Sequence, residues 1–227
     1  MKKLLYKEFK LCMHPLVFFF SLSALMFLIP SYVYLVACFF TGNAIFNSMQ
    51  ISNSNSDVLF TALLPISKRE AVKSKYLFVA VIQLAMMLVF TAMIFVHHAL
   101  LTDANKAGLD ACPALLGGCF LVYSVFNATF LPFFYKNGYK AERAFLISTI
   151  AVFLFIFVFE GFFIAAGAAA GSVPFFAWIE NNIDCWPGSS SSLLYQLLFI
   201  GAGLLIYFFI TLLSYRRSCK LFDEVDI

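Results

Sequence analysis

An all-α, polytopic membrane protein with six transmembrane helices is the fold class that three observations predict. The 227 residues are 63% hydrophobic and only 12% charged, with 30 phenylalanines, whereas a soluble domain is about 25% charged. Charge-free runs of membrane-spanning length recur along the chain. The lysines and arginines fall in short clusters between those runs, and one parity of crossings places nearly all of them on one face. Clusters so short and so spaced give no basic surface for nucleic acid. The length suits one membrane domain with no attached ATPase.

Residues 1–13 read as an interfacial helix. Leu5, Phe9, Cys12 and Met13 share one face, and Lys3, Lys7 and Lys10 another. A plain basic anchor is the equal alternative. No small-residue cleavage site follows, so the segment is not read as a signal peptide. The first apolar run, Leu16–Ile51, would extend about 54 Å as one helix, against a hydrocarbon core of about 30 Å. Pro30-Ser31-Tyr32 near its middle suits a turn. A hairpin is therefore expected, with spans at about 14–29 and 32–51. Parity agrees: with six spans, every lysine and arginine except Lys106 lies on the side of both termini, the cytoplasm.

Between spans two and three, Ser56 or Asp57 can cap a short helix, Asp57 to Leu64, that Pro65 ends. Ser67-Lys68-Arg69-Glu70 has capping-box spacing and opens a helix that runs through Lys73 and Lys75 into span three. The remaining spans are expected at about 75–99, 112–134, 144–168 and 193–214. Between the last two, Phe175, Phe176, Trp178 and Trp186 suit the outer interface.

Chemistry-bearing patterns are sparse. No GxxxxGK with Ser or Thr, no HExxH and no GxSxG occurs. His97 and His98 are read as the outer end of span three. Cys12, Cys38, Cys112, Cys119, Cys185 and Cys219 form no CxxC pair; most are read as apolar fillers, and a Cys112–Cys185 disulfide near the outer face is left open. Glu160 is the one acid within a span. It is either a contact in a polar pathway or a hydrogen-bonded structural acid. Asn43, Asn47, Gln50 and Ser54 make one helical stripe, which either lines a vestibule or binds helices together. Small residues at Gly117, Gly118, Gly161, Ala165, Gly167, Ala168, Gly171, Gly201 and Gly203 are read as helix-packing positions.

The opening MKKLLYKEFK with His14-Pro15-Leu16, the segment DVLFTALLPISKRE from Asp57 to Glu70, LPFFYKNGYK from Leu131 to Lys140 and YRRSCK from Tyr215 to Lys220 resemble, in their order, the small ABC-2 type permeases of Gram-positive bacteria. That family includes exporters of antimicrobial and amphipathic peptides such as phenol-soluble modulins. The resemblance covers nearly the whole chain and implies the ABC-2 exporter fold. It implies a half-transporter: two permease subunits, identical or related, with two separately encoded ATPase subunits. ATP and Mg would sit on those ATPases, with no cofactor or metal in this chain. It also implies a cytosolic coupling helix within about Asn53–Lys75, so that Asp57, Leu64, Pro65, Ser67, Lys68, Arg69, Glu70 and Lys73 would contact the ATPase. The N-terminal helix, with Lys3, Lys7, Phe9 and Lys10, matches the family's connecting helix. Spans two and five would border the dimer interface and the pathway, which makes Asn43, Asn47, Gln50 and Glu160 the candidate pathway residues.

The expected function is ATP-driven export of a hydrophobic or amphipathic substrate, a peptide or lipid-like molecule, by a subunit that is not itself an enzyme. The alternative is a stand-alone membrane immunity or sensor protein that binds a peptide. A secondary transporter fits less well, because such proteins show repeated halves and mid-bilayer ionisable groups.

Overall fold

A computed structural model describes residues 2–13, 15–54, 67–101, 105, 107–136 and 141–223. The segment 55–66, and with it Asp57, Leu64 and Pro65, lies outside the described residues. Among the described residues the structure is helical: α1 (Lys2–Leu11), α2 (Leu16–Ser21) tightening into a 3-10 stretch (Leu22–Leu28), α3 (Val36–Ser54), α4 (Lys68–Leu100), α5 (Pro113–Lys136), α6 (Ala141–Ala169), α7 (Pro174–Asn182) and α8 (Ser190–Asp223).

Four of these, α4, α5, α6 and α8, are long and apolar enough to cross a membrane. The 33 residues of α4 and the 34 of α8 extend about 50 Å each, so both overrun a hydrocarbon core of about 30 Å. The 19 residues of α3 have nearly the length of a span, but its asparagines, glutamine and serines lower its hydropathy, and it is not among the four.

The run after Pro15 behaves differently from a regular span. Only the residues between Pro15 and Pro30 are available to it. They wind as one short α-helix and then as a 3-10 helix, whose larger rise gives about 23 Å in all. Ile29 is extended and Ser31 takes φ 55°, and the chain folds back there. Phe20 and Phe40, each ten residues from Pro30, meet with ring centroids 6.1 Å apart, and Phe27 meets Tyr34 at 5.4 Å.

Helix α5 is the core, packed most extensively against α8 and then against α6. Its contact with α8 is backbone on backbone: a Cβ added at Gly203 would lie 2.7 Å from the Gly117 carbonyl oxygen. Only glycine allows that approach. The small residues of α6 behave otherwise. Gly161 and Gly167 have open space where a side chain would project, because they lie on the outward face with Phe157, Val158 and Ile164. Within this chain they pack no helices, contrary to the expectation for that stretch.

Candidate functional site: a capped helix start, a polar seam and an acidic cap

One end of the bundle gathers the basic clusters. There α1 packs on α4, and Phe9 meets Phe78 edge to face at 5.1 Å. Beside that apolar contact Glu8 is 1% exposed and Lys75 only 7%. The Lys75 ammonium lies 2.6 Å from Glu8 Oε2, donates to Ser52 Oγ at 2.6 Å and reaches Cys12 Sγ at 3.4 Å. Lys7 Nζ lies 3.3 Å from Glu8 Oε1. Two buried charges are tolerated because they pair with each other, and the ammonium also donates to Ser52. Lys10 stays exposed, with its ammonium 5.8 Å from the Tyr6 ring. The side chain of Lys3 is outside the described residues.

Helix α4 begins with a complete capping box. Ser67 Oγ accepts from the Glu70 N–H at 3.3 Å, and the Ser67 N–H donates to Glu70 Oε2 at 3.1 Å. The sequence signal was local, and the local bonds form. Ser67, Lys68, Arg69, Glu70 and Lys73 are all exposed. The last turns of α8 lie against this helix start. Lys68 Nζ sits 5.4 Å from the Phe222 ring centroid, and Tyr215 OH donates to the Arg69 carbonyl at 3.4 Å.

Farther along the bundle a buried polar seam joins α4, α5 and α8. Gln83 and Asn127 exchange two amide bonds, at 2.9 and 3.0 Å. Asn127 also donates to Thr211 Oγ1 at 3.2 Å, and Tyr207 OH donates to Gln83 Oε1 at 2.8 Å. Toward the basic end, Tyr76 OH lies 2.7 Å from both Ser214 and Ser218 hydroxyls. On α8, Tyr207, Thr211, Ser214 and Ser218 follow at steps of four, three and four, the spacing of one helix face, a signal that could have found them; Gln83 and Asn127 stand isolated in apolar stretches, and sequence reasoning passed over all of these residues.

The stripe on α3 takes no part in the hydrogen bonds of this seam. Asn47 bonds the Asn43 carbonyl and side chain on its own helix. Asn43 and Asn47 are half-buried, and Gln50 and Ser54 are exposed. Among the described residues the stripe's side chains bond only their own helix.

The opposite end carries an acidic, aromatic cap. Glu160, 3% exposed on α6, accepts the Leu109 N–H at 2.7 Å, and its carboxylate also faces the Leu35 N–H. Gly108, at φ 147°, lies so close that a Cβ there would collide with the Glu160 carboxylate. Glu160 thus clips the α4–α5 connection and the start of α3 to α6. Asp184 Oδ1 accepts the Asp110 N–H at 2.6 Å. Burial, helped by the charges of Asp110 and Glu180, pushes the Asp184 carboxyl up to about 6, against the pull of that N–H. His98 stacks on Trp186 at 3.7 Å, nearly parallel, and His97 bonds the Phe27 carbonyl. Cys112 and Cys185 are free thiols bonded to the carbonyls of Ile183 and Asn181. Among the described residues no group of His, Cys, Asp or Glu could hold a metal.

The profile of the family described as ABC-2 family transporter protein matches residues 3–223. The chain belongs to that family. It is the membrane permease component of an ABC transporter, and catalysis is not its own part of the work. No curated protein and no solved structure is similar enough to count as a match. In the permease, Ser67 to Lys73 of the expected coupling segment form the capped, exposed start of α4. Of the expected pathway residues, the structure brings Asn43 and Asn47 together, leaves Gln50 on the same face, and places Glu160 in the acidic cap. Glu8, Lys75, Gln83, Asn127 and Tyr207 are the structurally committed polar residues that sequence reasoning did not single out.

Proposed function

We propose that the permease is the membrane-spanning subunit of an ATP-driven exporter of hydrophobic or amphipathic molecules, peptide or lipid-like, in the cell membrane. It crosses six times, the α2 and α3 hairpin adding two crossings to those of α4, α5, α6 and α8. Both termini lie in the cytoplasm, as the basic clusters favour. Two permease subunits work with two separately encoded ATPases, which hold the ATP and Mg. The ATPase docks on Asp57, Leu64, Pro65 and the exposed corner Ser67, Lys68, Arg69, Glu70 and Lys73. Closure of the ATPases moves the corners and, through α4, switches access to the pathway.

The capped corner at the head of a 33-residue helix carries this reading. A helix that begins beyond the bilayer with its first turn rigidified can transmit displacement along its length. The α3 stripe supports the paired arrangement. Exposed amides are poor neighbours for lipid, and Asn43, Asn47 and Gln50 on a second subunit would enclose a polar path. Purification in mild detergent with mass spectrometry of co-eluting chains tests the reading. A co-eluting ATPase whose activity responds to the permease supports it. A permease that elutes alone, yet still protects cells against a peptide, overturns it.

A further inference from the structure

The proposed coupling reading gives no task to the most polar buried point at the basic end. Lys75 lies two turns into α4, Ser52 in the last turn of α3, and Glu8 on α1. One ammonium thus holds three helices, through Glu8 and Ser52 at 2.6 Å each. Ser74 adds a second link, its hydroxyl donating to Glu8 Oε1 at 3.4 Å. Lys73, two residues earlier on the same helix, is exposed, so the chain keeps one lysine for solvent and commits the other to the interior. A buried ion pair is a poor way to gain stability, since apolar side chains of equal size hold helices together at least as well. What directed bonds add is a fixed mutual position. Apolar adhesion between α1 and α4 is already present in the Phe9–Phe78 contact.

We propose that Glu8 and Lys75 are positioning residues of the coupling unit, locking α1 to the ends of α3 and α4 so that the three travel as one rigid body. This rests on the coupling reading above and deepens it. The N-terminal helix then acts as a third arm of the corner and does not merely rest on the membrane surface. It turns with α4 when the ATPases close, and the last turn of α3 turns with it.

Spin labels introduced as unnatural amino acids at Lys10 and Ser54, both exposed, leave the native cysteines in place. Pulsed electron–electron distance measurement on the full permease in nanodiscs, with and without its ATPase, reads the rigidity of the unit. The wild-type distance is expected to be a single narrow peak that does not shift with ATP or with a trapped hydrolysis state. Lys75→Met should at least double the width of the peak, and the charge swap Glu8→Lys with Lys75→Glu should restore most of the sharpness. A folded Lys75→Met variant as narrow as wild type overturns the proposal, as does a wild-type distance that shifts with nucleotide. Should Lys75→Met not fold, the charge swap and the wild-type measurement still decide. Failure of any ATPase to associate would sink the coupling reading alone, because the nucleotide-free comparisons test the lock without it.

Discussion

Replacing Asn127 with leucine removes three interhelical hydrogen bonds, two with Gln83 and one with Thr211. Interhelical bonds within a bilayer average about 0.6 kcal/mol each, so Asn127→Leu should cost about 2 kcal/mol. Gln83→Leu loses the same two bonds and the one from Tyr207, for a similar cost of about 2 kcal/mol. The double variant loses four bonds rather than six, since two are shared. Its cost should fall short of the sum of the singles by about 1.2 kcal/mol. Reversible unfolding of the purified permease in bicelles, followed by steric trapping, measures this cycle. Thr129→Ala is the control, because among the described residues that hydroxyl bonds only the Val125 and Phe126 carbonyls of its own helix. A coupling below about 0.3 kcal/mol would refute the seam as an energetic link between α4 and α5.

Three further outcomes are expected. Arg69→Glu with Lys73→Glu, on exposed positions of the corner, should abolish ATP-driven transport and leave the melting temperature unchanged; transport and ATPase co-purification at wild-type levels would count against the docking role. Gly203→Ala sets a methyl 2.7 Å from the Gly117 carbonyl oxygen and should cost about 1–3 kcal/mol in bicelle unfolding, whereas Gly201→Ala, with open space around it, should be neutral or mildly stabilising. The Asp184 carboxyl is raised from 3.8 to about 6 by burial and by the charges of Asp110 and Glu180. The folded state therefore binds its proton more tightly than the unfolded chain. That contribution is fully present below pH 3.8 and is lost as pH rises through about 6. Asp184→Asn should flatten the fall in thermal stability across this window.

What the sequence made legible was local or periodic. The Ser67–Glu70 capping box spans four residues and needs no partner from elsewhere. The α3 stripe is visible because Asn43, Asn47 and Gln50 repeat with the helix. Whether it lines a vestibule or joins helices is not encoded there, because the spacing that marks a stripe does not say what it faces. Glu160 was legible as an acid in need of a partner, but the partner, Leu109, is 51 positions away. Glu8 and Lys75 illustrate the limit best. Each belongs to a run of ordinary basic-segment residues, and only the packing of α1 on α4 turns them into a buried pair. Gln83 and Asn127, 44 positions apart, look in the sequence like isolated polar residues in apolar helices. Hydropathy gave the long helices readily, while the stretch from Leu16 to Leu28 is set by winding between two prolines, which composition does not encode.

The central claim is that the capped corner faces the cytoplasm while the cap between α7 and α8 faces outside. Cysteines placed at Lys73 and Ser189, both exposed, test it directly with a membrane-impermeant maleimide on intact cells. Cys185, partly accessible in the outer cap, should first be replaced by serine. The account predicts that Ser189→Cys is labelled on intact cells and Lys73→Cys only after the membrane is opened. Labelling of Lys73→Cys from outside, or protection of Ser189→Cys until lysis, would contradict it.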